Sequence, residues 1–309
     1  MSGPRETVLV TTGNGMFGRA LTARLAGRDD VEVVAMVRDA SRFTAPASNV
    51  RSVTADMDRP DTLAAALHGV TRVFHATPMD EHITERGVAV IDAAVAEDAR
   101  SRAAGGPGIR QFVYLSGAVD HAGDHLSTMH QRAIDHLAAS GLAYEFSSPN
   151  SVLETSLLPY AQAIAAGELM GMSGDGRIGF VAVDDVARAT AAILTGEPDT
   201  GHNHLLTGPA AVTMAEVAAA MSEALGRPVA YDDMTEDDFA AMLLSYGVAP
   251  DRQSLETTVL CHLRAWREGR AEVVTDEVER LTGTPAMTVR EWAAAHRDAF
   301  SGPVAGADG

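Results

Sequence analysis

Residues 7–21 read Thr7-Val8-Leu9-Val10-Thr11-Thr12-Gly13-Asn14-Gly15-Met16-Phe17-Gly18-Arg19-Ala20-Leu21. A short β-branched, apolar run leads into a glycine-rich turn, and the turn opens an amphipathic stretch, Met16 to Ala26, of helical character. A G-x-G-x-x-G turn between strand and helix is the pattern that binds a dinucleotide. Gly13 lets the chain turn, Gly15 lets backbone approach a pyrophosphate, and Gly18 lets helix and strand pack closely. The first turn of the helix offers unpaired N–H groups and the positive end of its dipole to phosphate. Asn14, Met16 and Phe17 complete the candidate phosphate-binding turn.

The next apolar run, Val31 to Val37, ends in Arg38-Asp39. An NAD site places an acid at that strand end, to hold the ribose hydroxyls. Here Arg38 stands first and Arg42 follows, and a guanidinium pairs two-pronged with a 2′-phosphate. NADP(H) is therefore expected over NAD(H). Asp56 and Met57, after the third run (Val50 to Ala55), are expected near the adenine. Ala76, Thr77 and Pro78 close the fourth run (Val70 to Ala76) and are expected to line the cofactor groove.

The alternation continues. Helical stretches occupy Asp61 to Leu67, Gly87 to Ala99 and Met129 to Ser140; strand-like ones occupy Gln111 to Ser116 and Ala143 to Ser147. Strands separated by helices of this length predict βαβ units, and near-continuous apolar strands predict a parallel sheet covered on both faces. The fold class is thus α/β, a doubly wound parallel sheet of Rossmann type. The second half is less regular: a helix over Ser156 to Ala166, a loop over Gly171 to Gly179, a strand at Phe180 to Val183, a helix from Asp184 and a strand at His204 to Thr207. Thr213 with Glu216, Thr235 with Asp238 and Thr288 with Glu291 read as helix starts. Residues 1–150 are expected to form the NADP-binding domain, with 178–207 returning to it. Residues 151–177 and 208–300 form a smaller, mostly helical substrate lobe, and 301–309 a frayed tail.

The chain has 309 residues, 46% of them hydrophobic, and a formal net charge of −18. So acidic a chain without a basic cluster argues against nucleic acid or anionic lipid as a partner. No apolar run is long enough for a membrane span, and the N-terminus does not read as a signal peptide. A single cysteine, Cys261, excludes an internal disulfide and fits a cytoplasmic setting. All 24 basic residues are arginine, so no lysine is available for any role.

TTGNGMFGRAL, AMVRD, VTADMDRPDTLAAALHGVTRVFHA, QFVYLSGA and HQRAIDHLAASGLAYEFSSPNSVLET together resemble the NmrA-like branch of the atypical short-chain dehydrogenases. FVAVDDVARATAAIL and TMAEVAAAMSEALGRPVAY extend the resemblance to roughly residues 6 to 300. The branch has an "RPN" strand end; here Ser148 replaces the Arg, and Pro149 and Asn150 remain. The resemblance implies the fold and an NAD(P)H cofactor, and relatives that include quinone oxidoreductases and redox-sensing regulators.

Ordinary short-chain dehydrogenases use a Ser, then a Tyr and a Lys four residues on. Ser116 stands where that Ser belongs. About a dozen residues later the chain reads Ser127-Thr128-Met129-His130-Gln131-Arg132, with neither Tyr nor Lys. His130 is then the nearest group able to give a proton near neutrality, and the bland alternative is a helix-start histidine. Ser116 is a candidate hydrogen-bond donor to a substrate oxygen. Asn150 after Pro149 is a candidate to orient the cofactor amide or the substrate, or else a turn residue. His121 and His125, flanked by Asp120 and Asp124, suggest a metal site, but Gly123 argues against one helical face holding both, and no metal is expected. Without the Tyr-Lys pair, hydride transfer is expected to need an electrophilic acceptor: a small apolar quinone, enone or polycyclic ketone. A role in tailoring secondary metabolites, as a monomer or homodimer, fits the arginine-rich, lysine-free composition. The competing readings are a non-catalytic NADP-binding regulator and a non-redox isomerase, epimerase or cyclase.

Overall fold

A computed structural model of the chain describes residues 5–119 and 125–301. The grouping of Asp120, His121 and Asp124 lies outside the described residues, as does the tail beyond Ser301. Among the described residues are nine strands: β1 (Glu6–Val10), β2 (Val31–Val37), β3 (Val50–Thr54), β4 (Arg72–His75), β5 (Gln111–Leu115), β6 (Tyr144–Pro149), β7 (Glu168–Gly171), β8 (Asn203–Leu206) and β9 (Ala230–Asp233). Seven of them form one sheet in the order β3-β2-β1-β4-β5-β6-β8. The ladders β1–β2, β1–β4, β2–β3, β4–β5 and β5–β6 are all parallel. This is the doubly wound α/β order, and it reverses between β1 and β4. A crevice opens beyond the strand ends at such a reversal.

The chain divides into two compact units. The first comprises Met1–Gly117, Thr128–Ser148 and Val186–His204. Helix α1 (Met16–Leu25) follows β1, α2 (Leu63–Leu67) follows β3, α3 (Ile83–Ala103) follows β4, and α4 (His125–Ala139) follows β5. Val8, Val10, Val33, Val34, Val73 and Phe112 are fully buried, as residues of a sheet covered on both faces must be. One core cluster of this unit joins Leu9, Val34, Leu67, Val90, Phe112, Tyr114 and Leu137. Helix α3 starts at Ile83, before the Gly87 start expected from sequence. Gly87 lies inside the helix because a Cβ there would come within 3.0 Å of the Ala133 Cβ on α4. A glycine in mid-helix costs about 0.5–1 kcal/mol, and here it permits the close approach of two helices.

A buried polar chain crosses this sheet near the strand starts. Arg72 on β4 donates to Glu6 on β1 at 3.3 Å and to Gln111 on β5 at 2.5 Å. Gln111 donates to Glu145 on β6 at 2.5 Å, and Glu145 meets Nε2 of His204 on β8 at 2.9 Å. Ile193 and Gly196 carbonyls accept further bonds from Gln111 and Arg72. The charges are buried but hydrogen-bonded to one another, which is the condition for burying them.

The second unit comprises Ala118–Ser127, Pro149–Asp185 and Leu205–Gly309. Its core joins Leu153, Phe180, Met221, Phe239, Leu260 and Trp292. The helices Met214–Leu225 and Val289–Ala295 start in capping boxes at Thr213 and Thr288, and Thr235 caps Glu236–Ser245. Buried Glu154 accepts from Trp292 Nε1 and from the Val183 amide, both at 2.9 Å. The run Phe180 to Val183, expected as a strand, makes a single bridge, Val152 to Val181. Among the described residues, the strands lying wholly within this unit are instead β7 and β9, a parallel pair. No helix among the described residues is long and apolar enough to cross a membrane.

Candidate functional site

The candidate groove is built in the first unit, at the ends of β1 to β5. Glycine in the turn after β1 supplies space rather than unusual backbone, since Gly13, Gly15 and Gly18 all lack positive φ. A Cβ at Gly13 would stand 2.9 Å from the Ala35 Cβ, against β2. A Cβ at Gly18 would stand 1.8 Å from the Thr12 carbonyl oxygen, so α1 packs directly on the turn. At Gly15 the nearest atom would be the Thr12 oxygen at 3.2 Å, a tight fit that leaves its outer side open. Backbone bonds from Gly13 N to Met36 O (2.9 Å) and from Gly15 N to Thr12 O (2.8 Å) fix the turn. Helix α1 has Gly15 as N-cap, no capping side chain and no acid in its first turn. Its N-terminal N–H groups therefore face outward with nothing of the helix's own to satisfy them, which suits a pyrophosphate. Asn14 and Met16 are exposed, and Phe17 is half-buried.

At the end of β2, Arg38 and Arg42 are exposed. Asp39, the acid nearest to the expected NAD position, is occupied locally. Its carboxylate accepts from the Ser41 hydroxyl (2.6 Å) and amide (2.9 Å), and caps the short helix that carries Arg42. Those bonds hold Asp39 below the usual carboxylate range. Asp56 and Met57 are half-buried after β3, and Thr62 ties down the Asp56 backbone.

The wall after β4 is pinned to β1. The Thr11 hydroxyl accepts from the Ala76 amide and donates to the Ala76 carbonyl, each at 3.1 Å. Thr77 follows half-buried and Pro78 exposed. His75, beneath this wall, is fully buried with Nδ1 3.4 Å from the Thr11 hydroxyl. Burial, and then the nearby His130, push its pKa down to about 3, so it is neutral at ordinary pH. Its ring packs against Tyr114 and Phe112 at centroid distances of 5.1 and 5.8 Å. Tyr114 is pushed up to about 12, by burial, with the Thr77 hydroxyl opposing.

Ser116 follows β5 half-buried. Its amide donates to Ser147 O at 3.0 Å, and its hydroxyl makes no hydrogen bond to a described residue. His130, on α4, is half-buried and meets the Tyr114 ring edge-on at 6.5 Å. Tyr114 lies two residues before Ser116, a rise of about 6.6 Å along the strand. His130 thus stands beside the strand whose end carries Ser116. Pro149 and Asn150 are placed with the second unit. There Asn150 Nδ2 donates to the Ala271 carbonyl at 2.9 Å, holding a later segment, while its Oδ1 is buried without a hydrogen-bond partner.

Sequence reasoning missed His75, Thr11 and an arginine, Arg86, that joins two of the groove's loops. His75 had a signal, an imidazole directly after the apolar pair Val73-Phe74 at a strand end. Arg86 had none, because its two partners lie 28 and 6 residues away.

A family model described as NAD(P)H-binding matches residues 13–197. The chain is 31% identical over 297 residues to the NAD(P)H azoreductase of Xenophilus azovorans, covering 95% of this chain and 99% of that one. It is 29% identical, with the same coverage, to the (4-alkanoyl-5-oxo-2,5-dihydrofuran-3-yl)methyl phosphate reductase of Streptomyces griseus. Among solved structures, the NADPH-dependent quinone oxidoreductase of Escherichia coli complexed with NADPH superposes with a TM-score of 0.79 at 24% identity, over 93% of this chain and 99% of that one. That likeness bears on the fold.

Proposed function

The chain belongs to the NAD(P)H-binding family, in its NmrA-like, atypical short-chain dehydrogenase branch, as an NAD(P)H-dependent oxidoreductase; from that premise we propose that it uses NADPH to reduce a small, apolar, conjugated acceptor such as a quinone, enone or polycyclic ketone. The observation that carries the reading is the uncapped start of α1, held by Gly18 against the Thr12 carbonyl, with two exposed arginines at the next strand end. When bound, the reduced nicotinamide supplies a hydride. The turn Gly13–Gly18 holds the pyrophosphate through its backbone N–H groups. Arg38 and Arg42 take the 2′-phosphate, and the local use of Asp39 removes the acid that would favour a free ribose. Asp56 and Met57 flank the adenine, and Ala76 to Pro78 wall the groove.

Chemistry at the acceptor rests on few groups. The Ser116 hydroxyl hydrogen-bonds the acceptor's oxygen, and His130 gives the proton. Neither replaces the full effect of a lysine-activated tyrosine, which is why the acceptor must itself be electrophilic. The azo and dihydrofuranone groups in the names of the two relatives are both conjugated acceptors, which supports this class. The lysine-free, arginine-rich composition is what supports a place in tailoring secondary metabolites.

The test is NADPH oxidation followed spectrophotometrically with a panel of quinones, enones and aromatic ketones, beside calorimetric titration with NADPH and NADH. Turnover with conjugated acceptors, and tighter binding of NADPH, are the expected results. Tight NADPH binding with no turnover across the panel favours a non-catalytic regulator, the reading that the missing Tyr-Lys pair supports.

A further inference from the structure

Arg86, one turn into α3, holds two acidic loops of the first unit. Its Nε and Nη2 grip Asp58 at 2.7 and 3.0 Å, and its Nη1 grips Asp80 at 2.7 and 2.8 Å. Its side chain is 12% exposed, whereas Asp58 and Asp80 are 49% and 42% exposed. Asp58 directly follows Asp56 and Met57, and Asp80 lies two residues beyond Pro78. One guanidinium thus ties the loop after β3 to the loop after β4, the two loops assigned to the adenine and to the groove wall.

The sheet register brings the loop of Asp58 beside Arg38: Val37 ends β2 opposite Thr54 at the end of β3, and the Ala55 amide donates to the Val37 carbonyl at 3.1 Å. Asp58 is held below the usual carboxylate range, first by its hydrogen bonds to Arg86, against slight desolvation, and then by the charges of Arg86, His82 and Arg38. Asp80 is also lowered: burial would raise it, and the bonds to Arg86 and the His82 amide outweigh that. Arg86 itself is raised, chiefly by Asp58. Arg38 therefore works within the field of the Asp58 carboxylate. Without Arg86, the Asp58 carboxylate would compete with a 2′-phosphate for Arg38, and both carboxylates at the groove edge would repel that phosphate.

We propose that Arg86 is a positioning residue that sets cofactor choice: by clamping Asp58 on the loop next to Arg38, and Asp80 on the loop after β4, it neutralises both acids and keeps the Arg38 guanidinium available to the 2′-phosphate of NADPH. This rests on the assignment of Arg38 to the 2′-phosphate. NADH, with no 2′-phosphate, is nearly indifferent to the same charges.

The experiment is calorimetric titration of the full chain with NADPH and with NADH, for the unmodified protein, Arg86→Met, Asp58→Asn and the double variant. In Arg86→Met the NADPH Kd is expected to rise about tenfold and the NADH Kd less than about threefold, the size of two exposed charges facing a phosphate dianion at several ångströms. Adding Asp58→Asn to Arg86→Met restores most of the lost selectivity, although it cannot restore the clamp. Asp58→Asn alone leaves NADPH binding at least as tight as before, and this variant decides the matter if Arg86→Met fails to fold. Equal weakening of both cofactors in Arg86→Met or Asp58→Asn, or no rescue in the double variant, overturns the proposal and leaves a mechanical tie. An unmodified protein that binds the two cofactors equally refutes the Arg38 assignment, and this inference with it.

Discussion

Gly18→Ala is the smallest change that tests the architecture of the groove. The added Cβ would lie 1.8 Å from the Thr12 carbonyl oxygen and 2.6 Å from its carbon. Both are backbone atoms, so no side chain can swing aside. To reach an ordinary contact, the start of α1 has to retreat from the turn by more than about 1 Å. Overpacking of this kind costs about 1–3 kcal/mol, which lowers Tm by roughly 2–12 °C for a unit of this size. The same movement displaces the N–H groups that face the pyrophosphate, and losing one charge-assisted bond there costs about 1.5–3 kcal/mol, or roughly tenfold to a hundredfold in Kd. Gly15→Ala is the matched control. Its Cβ meets Thr12 atoms at 3.2 to 3.5 Å, so it should lower Tm less than Gly18→Ala does and still bind NADPH more weakly, because the methyl group narrows the phosphate's approach. Differential scanning fluorimetry and calorimetric titration of the two variants supply both readouts. A Gly18→Ala protein with unaltered Tm and unaltered NADPH affinity would falsify the packing argument.

Arg38→Ala should weaken NADPH binding about tenfold to a hundredfold while leaving NADH nearly unchanged; parallel titrations check this, and equal losses for both refute it. His130→Phe should lower turnover by roughly 10²–10⁴-fold with NADPH affinity unchanged, read from steady-state rates with an accepted quinone or enone. Unimpaired turnover returns His130 to a packing role beside Tyr114. His75 makes stability depend on pH. Its folded pKa of about 3 lies below its ordinary value of 6.5, so its contribution is complete above pH 6.5 and is lost as pH falls from there toward 3, when only the unfolded chain takes up the proton. Urea denaturation across that range should show a decline that His75→Gln reduces, and an identical slope in the variant rules the assignment out.

The groove was legible from the sequence because its signals are local. Strand, glycine turn, helix and the Arg38–Asp39 strand end all fall within about 35 residues, and each is read from neighbours in the chain. The alternation of strands and helices gave the doubly wound sheet for the same reason. What escaped depends on distant pairs. β7 and β9 are four residues each and some 60 residues apart, and Asp232 and Asp233 are poor strand formers. The expected strand at Phe180 failed because its backbone bonds go to single partners from several segments rather than to one neighbour. The helical start before Gly87 was hidden because that glycine reads locally as a breaker, while its reason is the approach of Ala133. Arg86 looked like any surface arginine just ahead of the expected helix.

The polar chain across the sheet bears on how much of this molecule can stand alone. Residues 1–150 hold the glycine turn, both arginines, Ser116 and His130, and would pass for a self-sufficient nucleotide-binding fragment. Yet Glu145 in that fragment has lost His204, and Gln111 and Arg72 have lost the carbonyls of Ile193 and Gly196. Cutting the chain there would leave a buried carboxylate short of its counter-group and expose the flank of β6 to other strands. Synthesis from the ribosome meets the same condition, because the sheet is not electrostatically complete until the segment ending at β8 has emerged. Any attempt to graft this cofactor module onto another protein must therefore carry residues 186–206, through the end of β8, along with it.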